Sequence, residues 1–465
     1  MIKTALIIVP HPDDEINIGG GIFTQLADNG IDTTVLICSN GDYYHDTIND
    51  RYKEALKVKD ILRYNKLIYL GYGDNYKDVH IYASSEITPG ISTSGYRETH
   101  APDSTKEFCF ERSGIHHLYT RDNFKNDIKN VIIDIKADFI VCVDLDKHPD
   151  HRCVSLLFEE GLKEILVSNN QYRPIVFKTF AYEGVWFGIK DYFSPIKSRT
   201  QKKEKLFNDI ALYNWSDRIS VETPSSNTSI IFWKSRLFKA LRAYKTQNTS
   251  RVKENRALNC FLGIANPDAV FWHRSTLSLT YNAKVNVSSG CSKYLNDFKL
   301  TELNDVRPED FWKVAEFWQP DTNDREPYVE YVFNECFVPK VIEIYQNSHK
   351  SIKTVEVYLD DNYVGTYNCD RLSHVRIAVD NYASIRKLKI VIKETYSTYI
   401  EVGEIEVYDT IETLDMNNLP FNLYSNNDRC RKRLLTYSMK VIFIIFEYYN
   451  YLIQYLKFKK KLKRA

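Results

Sequence analysis

The stretch Thr4-Ala-Leu-Ile-Ile-Val-Pro-His-Pro-Asp-Asp-Glu15 decides the fold. Its first six residues are an apolar, β-branched run and read as a buried strand, Thr4–Val9. Pro10 ends that run, and Pro12 stiffens a loop that crowds one histidine against three acids. The chain shows no charged start or small-residue cleavage site of a secretory leader, so these residues read as the mature start of the fold.

Outward from this strand, short apolar runs alternate with helical patterns over the first 180 residues. That alternation implies an α/β fold, a mostly parallel sheet with helices on both faces. Thr33–Cys38, Leu67–Leu70, Phe139–Val143 and Ile175–Ala181 read as further strands. Gly21–Asp28 (closed by Asn29-Gly30), Arg51–Tyr64, Thr120–Ile135 and Arg152–Leu166 read as helices. The polar stretch from Gly71 to Leu118 is too long for an ordinary connection and reads either as a lid or substrate loop or as a surface insertion.

From about Lys284 the pattern changes to short alternating strands: Tyr328–Phe333, Val341–Tyr345, Thr354–Leu359, Val375–Val379, Leu388–Ile392 and Val402–Tyr408. Regular spacing with polar turns predicts an all-β sandwich. The division expected is 1–284 for the α/β domain, 285–410 for the sandwich, 411–428 for a linker and 429–465 for a basic amphipathic helix.

Sixty-two basic against 61 acidic residues leave a formal charge of +1, so there is no global basic field for nucleic acid. The nine cysteines, an odd number without a Cys-x-x-Cys pair, suggest neither a disulfide framework nor a thiolate metal site, and a reducing compartment fits best. Tyrosine numbers 33, which suits sugar-facing surfaces and ordinary packing alike.

Two clusters carry chemistry. His11, Asp13 and Asp14 follow the first strand, and His148, Asp150 and His151 follow the strand Phe139–Val143. In an open α/β sheet the ligand crevice lies at those carboxyl ends, so distance in sequence is no obstacle to their meeting. A catalytic zinc takes three protein ligands and leaves a position for water. His11, Asp14 and His151 would make a His, Asp, His set, and Asp13 stands where a general base is needed. His148 could donate to an oxyanion or protonate a leaving amine, with Asp146 or Asp150 fixing its imidazole. The bland alternative is two polar loops with chance histidines. Gly19-Gly-Gly21 lacks the spacing of a dinucleotide fingerprint and more simply lets the first helix approach the metal loop.

Val9-Pro-His-Pro-Asp-Asp-Glu15 together with Asp146-Lys-His-Pro-Asp-His-Arg152 resembles the GlcNAc-phosphatidylinositol de-N-acetylase family, the PIG-L or LmbE-like proteins. Supporting matches are Ser39-Asn-Gly-Asp42, Arg51 with Glu54-Ala55, Leu70-Gly-Tyr-Gly-Asp74 and Lys239-Ala-Leu-Arg-Ala-Tyr-Lys-Thr-Gln247. The resemblance covers about residues 1–284. It implies a Rossmann-like hydrolase that removes acetyl from an N-acetylated amino sugar of the N-acetylglucosaminyl type, lipid-linked or a surface-glycan precursor. It also implies His11, Asp14 and His151 as ligands of Zn2+, with Fe2+ or another divalent ion as the alternative. Asp13 matches the base, His148 the oxyanion histidine and Arg51 an arginine that meets substrate hydroxyl or phosphate groups. Arg51 reads otherwise as a surface arginine at a helix start, and Asn40 stands where the family usually has aspartate.

Phe317-Trp-Gln-Pro320, Tyr328-Val-Glu-Tyr331 and Ile400-Glu-Val-Gly-Glu-Ile-Glu-Val407 give the sandwich a discoidin-like, carbohydrate-module-like look, with a glycan as its implied partner. In the tail, Lys440, Glu447, Asn450, Gln454 and Lys457 form one polar stripe on a helix whose remaining surface is apolar and whose ends are basic. That reads either as peripheral contact with an anionic membrane or as packing on protein. The expectation is a cytoplasmic enzyme, with the inner face of the membrane as the place of contact. Its rivals are a glycan-binding scaffold with a relic metal domain, and a hydrolase of a different amide.

Overall fold

The computed structural model describes residues 2–43, 47–74, 76–77, 79–146, 148–181, 213, 217–229, 231–248, 268–301, 317–346, 350–380, 382–424 and scattered positions between 441 and 460. The first domain opens with β1 (Thr4–Val9), α1 (Asp14–Ile18), α2 (Phe23–Asp28), β2 (Asp32–Ser39), α3 (Ile48–Leu62) and β3 (Lys66–Tyr72). It continues with α4 (Phe108–Ser113), α5 (Arg121–Ile135), β4 (Phe139–Val143), α6 (Pro149–Ser168), β5 (Ile175–Thr179), β6 (Ile219–Glu222) and, after the helix Arg236–Ala243, β7 (Asp268–Arg274).

These strands form one sheet in the order β3-β2-β1-β4-β5-β7-β6, parallel through β5 and antiparallel at β7 and β6. Ala5 lies opposite both Thr33 and Phe139, so β1 is central and its apolar run is buried on both faces. Strand order runs outward from β1 in one direction through β2 and β3, then restarts on its other side with β4. That reversal separates the loops after β1 and β4 and opens a crevice between them. Helices cover both faces: α5 and α6 pack together over the sheet, and α3 packs on the helix Arg236–Ala243.

The expected helix Gly21–Asp28 is present as α2, starting two residues later at Phe23, and a further short helix, α1, precedes it with Gly19, Gly20 and Gly21 between the two. A Cβ on Gly20 would sit 2.6 Å from Leu237 and one on Gly21 would sit 2.5 Å from Ala269. The glycines therefore seat this segment against the later helix and β7, and Gly20 also lets it close on the Ile16 carbonyl of α1, the helix that begins at Asp14. The helix expected at Arg152 begins earlier, at Pro149, since proline fits a first helical position and His148 caps it.

The second domain is an antiparallel sandwich. Its five-stranded sheet runs β12 (Asn362–Asn368), β11 (Ile352–Leu359), β14 (Ile385–Thr395), β9 (Tyr328–Phe337), β8 (Lys284–Val287). Its three-stranded sheet runs β13 (His374–Ala378), β10 (Val341–Gln346), β15 (Val402–Tyr408). Trp318, Tyr331, Val355, Leu388 and Ile405 fill the space between. β9 alternates as a half-buried strand should, but β10 and β15 are buried on both faces. Their outer face meets the first domain, where Arg274 pairs with Glu406 at 3.3 Å.

The predicted linker is docked at residues 421–424. The Tyr424 N–H donates to Ser220 O and the Glu222 N–H to Asn422 O, each at 2.8 Å, so the segment lies along β6. Phe421 packs edge-on against Phe139 at 5.3 Å. Most of the tail's polar stripe, at residues 440, 447, 450 and 454, lies outside the described residues.

Candidate active site

The crevice brings the two clusters together. From the loop after β1 come His11 Nδ1 and Asp14 Oδ2, 3.0 Å apart; from the first turn of α6 comes His151 Nε2, 3.1 Å from Asp14 Oδ2 and 3.3 Å from His11 Nδ1. All three residues are buried. An ion with bonds of about 2.0–2.1 Å in tetrahedral geometry spaces its ligands roughly 3.3 Å apart, so the triangle has the size a divalent cation needs.

Carboxylates also stand at the far side of both rings. His151 Nδ1 lies 2.7 Å from Asp146 Oδ2, and His11 Nε2 lies 3.2 Å from carboxylate oxygens of both Asp150 and Asp74. With an ion in the triangle, a carboxylate would hold a proton on the far nitrogen of each ring and leave the near nitrogen free to ligate. Asp14 Oδ1 is buried without a hydrogen-bond partner among the described residues. Three donor atoms this close in a buried site need positive charge between them, as bound protons or as a metal ion. Burial opposes a charged His11, yet Asp74, Asp14 and Asp150 outweigh it and raise its pKa well above the ordinary value. His151, also opposed by burial, is lifted to about 9 by Asp146 and Asp14. The pocket therefore demands positive charge, and the donor set fits a zinc-like or iron-like ion.

Asp13 takes no place in the triangle. Its backbone has φ 110°, a left-handed conformation rare for a side-chain-bearing residue, and its side chain keeps 28% exposure where its neighbours are closed off. The turn is held from two sides: Glu15 Oε2 accepts the Asp13 N–H at 2.8 Å, and Tyr244 O–H donates to Glu15 Oε1 at 2.5 Å. Burial pushes the Glu15 carboxyl up to about 8.

Arg51 is neither a surface residue nor one that faces an open cleft. It is buried beneath the loop, where its guanidinium donates to the carbonyl of Gly41 at 2.5 Å and to that of Pro12, and approaches Asp13 Oδ1 at 3.7 Å. Gly41 has φ +65°, and a Cβ there would lie 2.0 Å from Arg51 Nη1. Arg51 thus braces the loop that carries Asp13.

His148 stands beside the triangle, its ring 4.8 Å from those of both His11 and His151. Its Nδ1 accepts the Asp150 N–H at 3.2 Å, so in the neutral ring the proton is on Nε2. Burial first, then the charges of His151 and His11, lower its pKa to about 4. Asp146 Oδ1 accepts the His148 backbone N–H at 2.9 Å while its Oδ2 lies 2.7 Å from His151 Nδ1, and Asp150 Oδ2 stands 4.0 Å from His148 Nδ1.

Two members were missed by the sequence reading. Asp74 follows β3, and the rule about strand ends that found the other clusters would have found it. His80 has no such signal. Its Nδ1 accepts the Tyr82 N–H, so Nε2 donates to Asp150 Oδ1 at 3.0 Å. Asp74 and His80 thus bring the first part of the stretch Gly71–Leu118 to the edge of the triangle.

The family model described as GlcNAc-PI de-N-acetylase, PIG-L, matches residues 6–161. Those residues form a PIG-L domain. No curated protein matches the sequence. Among solved structures, the chain is similar to the N,N'-diacetylchitobiose deacetylase of Pyrococcus horikoshii at 16% identity, TM-score 0.34, covering 58% of this chain and 84% of that one. It is similar to a deacetylase of teicoplanin biosynthesis at 15% identity, TM-score 0.35, covering 58% and 97%. The sandwich is similar to the family 32 CBM of C. perfringens NanJ, in complex with galactose, at 12% identity, TM-score 0.22, covering 28% and 97%.

Within the PIG-L domain, Asp146 tests the site without touching the triangle. Asp146→Asn keeps the side chain's shape and removes its charge from His151 Nδ1. The expected result is a metal affinity 10–100-fold weaker, a range of roughly that size being usual for such carboxylates, measured by competition with a chelator. Unchanged affinity would mean that His151 is not a ligand.

Proposed function

We propose that the protein is a metal-dependent N-deacetylase acting on an N-acetylated amino sugar, with His11, Asp14 and His151 as ligands of zinc or ferrous iron. The observation that carries this reading is the buried triangle of donor atoms with the strained, partly exposed Asp13 at its edge. A divalent ion bound there supplies Lewis-acid activation of water and of the amide carbonyl.

The chain's own groups then perform the proton chemistry. Asp13 takes a proton from the water that adds to the amide carbon. His148, neutral and protonated at Nε2, donates a hydrogen bond to the oxygen on which negative charge develops. Collapse breaks the C–N bond, the proton held by Asp13 passes to the departing nitrogen, and acetate and a free amine leave. Completeness of this set speaks against a relic domain in a glycan-binding scaffold.

The test is acetate release from free, nucleotide-linked and lipid-linked N-acetylglucosamine compounds by the full chain. Acetate and amine should appear in equal amounts, vanish after chelation and return with added zinc or ferrous iron. Metal-loaded protein that spares every acetylated sugar yet cleaves an acylated peptide would replace this reading with that of another amidase.

A further inference from the structure

We propose that the C-terminal helix docks this protein on an anionic lipid bilayer. The described positions between 441 and 460 are helical. At 100° per residue, Val441, Ile444, Ile445, Tyr448, Leu452 and Leu456 fall within one face about 120° wide. That face is open: Ile444 and Ile445 are each 63% exposed, Tyr448 77% and Leu456 55%. Single exposed apolar residues are ordinary on a protein surface, but a contiguous stripe marks a place where something else sits.

Charge identifies the occupant. Eleven of the 62 basic residues fall in 429–465 with one of the 61 acidic ones, so this segment carries +10 and the rest of the chain −9. Lys457, Lys459 and Lys460 are exposed immediately after the apolar face, with Lys459 Nζ 5.4 Å from the Tyr455 ring. A second copy of the helix would bring like charges together, and a nucleic acid has no use for the isoleucines. An anionic lipid surface satisfies both halves, with apolar side chains among the acyl chains and lysines at the phosphates. A spanning helix would have to carry Lys440 and Glu447 in or near the hydrocarbon, which is costly, so the segment is assigned to the surface.

The experiment is co-sedimentation of the full chain with vesicles of phosphatidylcholine alone and of phosphatidylcholine mixed with phosphatidylglycerol. Binding should favour the mixed vesicles and weaken with salt. Replacing Lys457, Lys459 and Lys460 together by glutamine should weaken it roughly a hundredfold. Ile444→Ser, Ile445→Ser and Leu452→Ser together should abolish it. Acetate release from a water-soluble substrate should be the same in all forms, so failure here is distinct from failure of the proposed activity. The proposal is overturned by absence of binding to mixed vesicles, by equal binding of all forms, by a solution dimer that the serine variant dissociates, or by retention of nucleic acid in place of lipid.

Discussion

Asp13→Asn will lower acetate release by about 10²–10⁴-fold, the range a positioned general base contributes, while metal content stays that of the parent protein. Asparagine keeps the size of the side chain and cannot take a proton. The ligand triangle excludes Asp13, so the ion's affinity does not depend on its charge in the first instance. The turn itself is fixed by Glu15, Tyr244 and the Arg51 guanidinium on the Pro12 carbonyl, none of which is altered. Metal analysis alongside kcat separates the outcomes. Loss of metal in step with activity would make Asp13 a ligand, and retention of full activity would move the base elsewhere.

Arg274→Leu will destabilise the protein by about 3–5 kcal/mol, the usual consequence of removing one partner from a buried ion pair. Arg274 lies at the end of β7, fully buried, and reaches Glu406 of β15 at 3.3 Å and the Phe298 carbonyl at 2.9 Å. Its guanidinium also faces the Phe298 ring at 4.8 Å. Without it Glu406 keeps only the hydroxyls of Tyr281 and Tyr408, at 2.9 and 2.5 Å, and loses its buried counter-charge. Urea unfolding of the full chain measures the loss. Glu406→Leu added to Arg274→Leu should restore most of it, since a buried pair can be replaced by apolar residues at little cost. A change below roughly 1 kcal/mol, the size of an exposed pair's contribution, would mean that the domains are not joined through this contact.

The α/β domain was legible because its strands are buried on both faces, and a run such as Ala5–Val9 admits few other readings. His11, Asp14 and His151 were legible for a related reason: strand ends converge at the switch point, so residue types that bind metals stand out there. What stayed hidden was whatever depends on a partner far along the chain. Glu404 and Glu406 alternate with Ile405 and Val407 as a solvent face would, yet both are fully buried because the first domain covers that side. Burial raises the Glu404 carboxyl well above its usual range. His80 was hidden because one hydrogen bond to Asp150, 70 residues away, gives it its place. The burial of Arg51 was hidden because a helix-start arginine carries no local mark that a loop will fold over it.

The double burial of β10 and β15 also bears on how such a chain can be assembled or dissected. A catalytic half cut off near residue 283 would bare the side of β7 that carries Arg274 and lose the strand-like segment that runs along β6. A sandwich prepared alone would present Glu404 and Glu406 to water, with Glu406 stripped of Arg274 and of the Tyr281 hydroxyl. The two halves therefore behave as one unit of inheritance, and any exchange of the sandwich for a different module must bring a matching cover for Arg274 with it.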